Sequence, residues 1–244
     1  MNLVVDIGNS RTKIYLFNPA GVMWTVAVEQ LTPEQVKLLC AEHPALDRVI
    51  ISAVKNYAEP LKETFQSCFR YFLELDENTP LPIVNRYQSR STLGKDRLAA
   101  AVGANFLFPN TNLLVIDAGT AITYDIVTAA GEYAGGNISP GLEMRFKALH
   151  SFTGKLPLVK PSDDFDRLGT STETAIRAGV QNGILFEVVN TIRLFNDFYE
   201  NLQIIFTGGD AIFFERKLKN SFFVDSNLVG TGLNRILEYN AKNS

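Results

Sequence analysis

The chain has 244 residues, 46% of them apolar and 20% charged, with a formal net charge of −3. That balance supplies enough apolar surface for a core and excludes a disordered or fibrous chain. The slight acidity gives no global pull toward nucleic acid or a membrane surface. No apolar run is long enough to span a bilayer, and the start Met1-Asn2-Leu3-Val4-Val5-Asp6 lacks the basic and apolar regions of a signal peptide, so a cytoplasmic protein is expected. Cys40 and Cys68 have no metal-ligand spacing and read as small buried hydrophobes. His43 and His150 stand far apart with no acidic cluster beside them, which argues against zinc.

An apolar strand ends at Asp6, and Gly8 permits a tight turn into a second strand through Ile14-Tyr15-Leu16-Phe17. Asn18-Pro19-Ala20-Gly21 then turns the chain into a third strand. Thr32-Pro33-Glu34-Gln35 has the form of a capping box with proline at the first helical position, predicting a helix to about His43. A strand over 49–54, a helix near 58–69 and a short strand over 71–75 follow. After Gly94-Lys95-Asp96-Arg97, the run Leu98-Ala99-Ala100-Ala101-Val102 is helical.

The pattern then begins again. Ile116-Asp117-Ala118-Gly119-Thr120-Ala121 repeats the first strand end and turn, and Ile126-Val127 and Thr128-Ala129-Ala130-Gly131 repeat the second strand and second turn. Asp117 and Gly119 align with Asp6 and Gly8 at one offset, and Gly131 aligns with Gly21 at an offset one residue different. The turn-rich stretch Gly135-Gly136-Asn137-Ile138-Ser139-Pro140-Gly141 opens a helix at Leu142. A long helix over about 172–199, a strand over 203–207, a helix after Gly209, a short strand over 222–224 and a helix from about Gly232 complete the chain. Two such copies predict a duplicated α/β fold, a mixed sheet flanked by helices in each half, with a ligand cleft between them. The boundary is expected near 109–112, giving domains 1–111 and 112–244. The aromatics Tyr15, Phe17, Phe106, Phe108 and Phe146 read as core.

Four motifs can carry chemistry. In Asp6-Ile7-Gly8-Asn9-Ser10-Arg11-Thr12-Lys13 a hairpin turn exposes backbone N–H groups that, with Asn9, Ser10 and Lys13, can cradle phosphate oxygens. Asp6 would approach those phosphates only through Mg2+. Asp117-Ala118-Gly119-Thr120 offers a second such turn and a second carboxylate. Thr207-Gly208-Gly209-Asp210 follows a strand, and its paired glycines let the backbone come close to a flat ring or a ribose. In Gly94-Lys95-Asp96-Arg97 the acid is also a comfortable first-turn residue of a helix, but the surrounding Arg86, Arg90, Lys95 and Arg97 make a basic set suited to anions. Asp96 could take a proton from a substrate hydroxyl while Arg97 holds a substrate carboxylate. Thr170-Ser171-Thr172-Glu173 reads as an N-cap cluster, and capping alone accounts for it.

In this order the motifs resemble those of the type III pantothenate kinases over essentially the whole chain. Asp6 to Lys13 looks like that family's first phosphate motif, Gly94-Lys95-Asp96-Arg97 like its Gly-x-Asp-Arg signature with Tyr87 before it, Asp117 to Thr120 like its second phosphate motif, Gly208 and Gly209 like its adenosine motif, and Thr172 like its threonine at the start of the long helix. The resemblance implies two actin-like (ribonuclease H-like) domains, a homodimer, and transfer of the ATP γ-phosphoryl group to pantothenate, the first step of coenzyme A biosynthesis. It implies Asp96 as base, and Tyr87, Gly94, Lys95, Arg97 and Thr172 around pantothenate, with Thr172 acting across the dimer. It further implies Mg2+ at the nucleotide and Asp117 on a monovalent cation, K+ or NH4+. Two other readings stand beside it: an actin-like kinase for a sugar or carboxylic acid, and an ATP-binding regulator without turnover.

Overall fold

The strand that ends at the first aspartate turn lies in the middle of its sheet. The structure is a computed structural model describing residues 1–9, 11–218 and 222–242. β1 (Asn2–Ile7) pairs antiparallel with β2 (Thr12–Asn18), which pairs with β3 (Gly21–Val28). Beyond α1 (Pro33–Glu42), β4 (Arg48–Ala53) adds in parallel on the other side of β1. Beyond α2 (Glu59–Cys68), β5 (Tyr71–Glu74) adds in parallel to β4, so the order is β3-β2-β1-β4-β5. Leu3, Val4 and Val5 of β1 and Val49, Ile50 and Ile51 of β4 are wholly buried, as continuous apolar runs in strands covered on both faces must be. The predicted capping box forms: the Gln35 N–H donates to the Thr32 hydroxyl at 3.3 Å and the Thr32 N–H to the Gln35 side chain at 2.9 Å. A two-residue β6 (Val84–Asn85) and one 3-10 turn, Arg90–Thr92, lead into α3 (Lys95–Leu107).

The second sheet repeats the first. β7 (Leu113–Ala118) takes the place of β1, with β8 (Ala121–Val127) and β9 (Glu132–Pro140) antiparallel on one side. After α4 (Leu142–Ser151) and α5 (Thr172–Asn196), β10 (Gln203–Thr207) adds in parallel. After α6 (Ala211–Lys217) comes β11 (Phe223–Val224), and the order β11-β10-β7-β8-β9 results. The likeness reaches the register. Asp6 stands opposite Lys13 and Ser52, and Asp117 opposite Thr123 and Thr207. Both copies break register against their third strand at the same place, between Leu16 and Phe17 and between Ile126 and Val127. The one-residue change in repeat offset is located in the aspartate turns. Ile7 pairs with Thr12 across four residues, Ala118 with Ile122 across three.

α7 (Leu228–Lys242) departs from the expected division at 111/112. The compact units are Met1–Leu107 with Asn227–Ser244, and Phe108–Ser226, so α7 belongs with the first unit. The reason is close helix packing. A Cβ at Gly232 of α7 would lie 1.7 Å from the Ala99 carbonyl oxygen of α3, and one at Gly103 of α3 would lie 2.4 Å from the Leu228 carbonyl oxygen. α7 begins at Leu228, four residues before the predicted Gly232: two glycines lower the helix propensity of its first turns, and close packing on α3 holds them helical all the same. Each unit has its own core, one including Val5, Ile51 and Phe65, the other Ile116, Phe146, Ile184 and Phe206. Tyr15, Phe17 and Phe146 are buried as expected, but Phe106 is 51% exposed, with the Arg235 guanidinium 5.3 Å from its ring centroid. Among the described residues no helix is long and apolar enough to cross a membrane.

Candidate active site

In the first unit the Gly8 N–H donates to the Arg11 carbonyl at 3.0 Å and closes the turn after Asp6. Of the residues expected there, Ile7 and Thr12 have buried side chains and can offer a ligand only their main chain. Asn9 and Arg11 are exposed and Lys13 is partly so, while Ser10 lies outside the described residues. Burial, and next the charge of Asp96, push the Asp6 carboxyl up to about 6, against the opposing pull of the Ser52 hydroxyl and Lys13. That repulsion means the helix-start acid and the strand-end acid address a common region of this unit. Ser52 was not singled out from the sequence. It is wholly buried, and only the pairing of β1 with β4 reveals it beside Asp6.

Gly94, Lys95, Asp96 and Arg97 form the start of α3, where the Leu98 N–H donates to the Gly94 carbonyl at 3.1 Å. The Arg97 N–H donates to Asp96 Oδ1 at 2.9 Å, which fixes the carboxylate against the helix end. Gly94 is what leaves room for it, because a Cβ there would lie 2.5 Å from Asp96 Oδ1. Arg97 is only 5% exposed, and its guanidinium carbon lies 5.7 Å from the centroid of the Tyr87 ring. Tyr87 in turn is held by its N–H, which donates to Asn85 Oδ1 at 2.9 Å. An aromatic face beside a cation suits an acceptor with an apolar stem and an acidic end.

In the second unit the Gly119 N–H donates to the Ala121 carbonyl at 3.0 Å, the counterpart of the Gly8 closure. The Thr120 carbonyl accepts from the Gly141 N–H at 3.1 Å, so the stretch before α4 packs on this turn. The Thr207-Gly208-Gly209 turn packs on it from the other side. Gly208 has φ +92°, and a Cβ there would lie 2.3 Å from the Ala118 carbonyl oxygen and 2.4 Å from Asp117 Oδ1. Only glycine fits this position. Gly209 has no atom within 4 Å of a Cβ position, so its face is open. The next residue, Asp210, donates its N–H to the Ala118 carbonyl at 2.9 Å, and burial, then the charge of Glu143, hold its carboxyl above the ordinary value.

Thr172 is the first residue of α5 but does not cap it. Ser171 is the N-cap, and its hydroxyl accepts from the Thr174 N–H at 3.3 Å. The exposed Thr172 side chain instead lines a groove of about 940 Å³ between α4 and α5, with Arg145, Leu149, Phe152, Ile176 and Val180. Arg145, which the sequence did not flag, is ion-paired with Glu187 at 2.5 Å, and Glu187 also accepts from the Tyr124 hydroxyl at 2.8 Å.

A duplicated sheet with matched register, carrying an aspartate turn at the same strand end in each copy, defines an actin-like duplicated α/β fold. Similar folds occur in a protein described as a Baf family transcriptional activator from Campylobacter jejuni, with TM-score 0.62, 23% identity and coverage of 98% of this chain and 99% of that one. They occur also in glucokinase from an Antarctic psychrotroph, with TM-score 0.54, 12% identity and 98% coverage of each chain. At these identities the likeness is one of fold.

The sequence goes further. A profile of the type III pantothenate kinases matches residues 2–194. The type III pantothenate kinase of Phocaeicola vulgatus is 45% identical over 242 residues, 99% of this chain and 100% of that one. That of Bacteroides fragilis (strain ATCC 25285) is 44% identical over 240 residues, 98% of each chain. The chain belongs to the type III pantothenate kinase family.

Proposed function

We propose that the chain transfers the γ-phosphoryl group of ATP to the terminal hydroxyl of pantothenate, forming 4′-phosphopantothenate. Family membership supports the acceptor. The observation that carries the chemistry is the pair of carboxylates in the first unit, Asp6 on the phosphate turn and Asp96 at the start of α3, close enough for one charge to raise the pKa of the other. Asp96 takes the proton of the acceptor hydroxyl. Gly94 and the Arg97 N–H set where its carboxylate stands. Tyr87, Lys95 and Arg97 hold the acceptor, and Arg97 meets its carboxylate. In the first unit the turn from Asp6 to Lys13 takes phosphate oxygens; in the second, Thr120 on the equivalent turn is assigned to phosphate and the Gly208-Gly209 turn, open at Gly209, to the adenosine. Phosphoryl transfer passes through a loose transition state, so positioning and charge stabilisation are the protein's main tasks.

Mg2+ and a monovalent cation belong to this reading. Among the described residues no group of three or more His, Cys, Asp or Glu side chains could hold a metal ion. The single carboxylate of Asp6 therefore suits Mg2+ that keeps its waters and is held mainly by nucleotide phosphates, whose charge it neutralises when bound. At the second turn the Asp117 carboxylate stands beside Gly208, and this reading assigns it the monovalent cation, K+ or NH4+. The α4–α5 groove supports a homodimer: Phe152 on its wall is 89% exposed, and Thr172 at its edge would reach the pantothenate of the second copy. The work is placed in the cytoplasm, where ATP is supplied.

The test is an acceptor panel. The purified protein is given ATP and Mg2+ with pantothenate, glucose and acetate together, in potassium and then in sodium buffer. Phosphorylation of pantothenate, faster in potassium, is expected. Phosphorylation of glucose or acetate instead moves the protein to another actin-like kinase activity. Nucleotide binding with no phosphorylated acceptor supports a regulator, and equal rates in the two buffers remove the Asp117 cation role.

A further inference from the structure

We propose that Lys55 positions the phosphate turn and supplies positive charge to the terminal phosphates of the nucleotide, an assignment that rests on the kinase reading above. The backbone brings it there. β4 ends at Ala53, but the Val54 N–H still donates to the Ile7 carbonyl at 3.1 Å, so the chain after β4 runs beside the turn that follows β1. From there Lys55 Nζ donates to the Asn9 carbonyl at 3.2 Å. This pins the turn from outside its own hairpin. An ammonium has three donors and this contact uses one, leaving two for a ligand.

The local charge balance singles out this lysine. Lys13, the cation within the motif, stands opposite Asp6 in the ladder, and its charge is partly spent lowering the pKa of that carboxyl. Lys62 is paired with Glu74 at 3.1 Å. Lys55 forms no ion pair among the described residues. It lines a polar cavity of about 430 Å³ with Lys62, Lys95, Glu59 and Glu74, three lysines against two carboxylates. The cavity lies at the carboxyl ends of the parallel strands β4 and β5, where open α/β sheets take their ligands. Its wall runs from Lys55 at the phosphate turn to Lys95, the neighbour of Asp96. A polyphosphate end gains from such a wall. A neutral nucleoside does not.

The experiment compares wild-type protein, Lys55→Met and Lys55→Arg by calorimetric titration with a non-hydrolysable ATP analogue and with AMP, both with Mg2+. Lys55→Met is expected to lose about 10- to 100-fold in affinity for the triphosphate, the range of a charge-assisted hydrogen bond. Its affinity for AMP and its melting temperature should stay at wild-type values, and Lys55→Arg should recover most of the loss. Unchanged triphosphate affinity in Lys55→Met overturns the assignment. So does an equal loss for AMP and triphosphate, which would make Lys55 a prop for the fold alone. A wild-type protein that binds the analogue but makes no phosphopantothenate overturns the acceptor reading and leaves this comparison decisive. One that binds no nucleotide overturns both.

Discussion

Gly94→Ala is the sharpest test of how the site is built, because it moves one atom group and little else. The added Cβ would lie 2.5 Å from Asp96 Oδ1, where ordinary contact begins near 3.4 Å, so the carboxylate must retreat by close to an ångström. The backbone raises no objection, since Gly94 is not among the glycines of positive φ. Retreat breaks the 2.9 Å hydrogen bond from the Arg97 N–H, at a cost of about 1 kcal/mol. Replacing glycine by alanine at a compatible backbone returns roughly 0.4–1 kcal/mol by restricting the unfolded chain. The two nearly cancel, and the melting temperature should shift by no more than a few degrees. Catalysis should not be spared. Misplacing a reacting group by about 1 Å can cost on the order of 10²-fold, about 2.7 kcal/mol of barrier. Steady-state ADP release with pantothenate present should therefore show kcat down by that factor and the KM for ATP close to wild type. A kcat near wild type in a stable Gly94→Ala protein would refute the argument that Asp96 is held in place for proton transfer.

The remaining predictions concern other residues of each unit. The folded pKa of Asp6, about 6, lies above its unfolded value of 3.8, so the folded chain binds more protons between these values and loses stability as pH rises through the window. Asp6→Asn should then stabilise the nucleotide-free protein at pH 7 by up to about 3 kcal/mol while weakening Mg2+-nucleotide binding; identical melting of the two proteins at pH 7 would contradict this. Gly208→Ala meets both a positive φ and backbone oxygen at 2.3 Å and should cost about 1–3 kcal/mol. Gly209→Ala, with open space around it, should melt within a degree or two of wild type, and equal melting of the two variants would refute the distinction. Arg97→Ala should raise the KM for pantothenate and leave that for ATP unchanged, measured well below the melting temperature because this side chain is buried against Tyr87. An unmoved pantothenate KM would remove the carboxylate role.

Much of the fold was legible because it is written in local signals. The Asp-x-Gly turns, the alternation of apolar runs with Gly and Pro, and the Thr32 capping box each need only a few neighbouring residues, and each formed. The duplicated topology followed from their order. What escaped was set by contacts between distant positions. α7 crosses back to α3 through Gly103 and Gly232, and nothing near residue 228 announces this. Phe106 carries the letters of a core residue but falls on an exposed helix face, which depends on where α3 is rotated. The site shows the same division. Asp96 was legible as a motif, yet the role of Gly94 as the space for its carboxylate required coordinates, as did the separation of capping by Ser171 from the free edge position of Thr172. Ser52, Lys55 and the Arg145–Glu187 pair had no sequence signal, because each acts across a gap of tens of residues.

The central claim is that this site phosphorylates pantothenate with Asp96 as the base. The direct measurement incubates wild-type and Asp96→Asn protein with ATP, Mg2+ and pantothenate in potassium buffer, with products identified by mass and nucleotide binding measured in parallel. The account predicts 4′-phosphopantothenate from the wild type, a rate about 10²–10⁴-fold lower from the variant, and nucleotide affinity preserved in both. ATP consumed by the wild type without phosphopantothenate, or a variant that turns over at the wild-type rate, would contradict it.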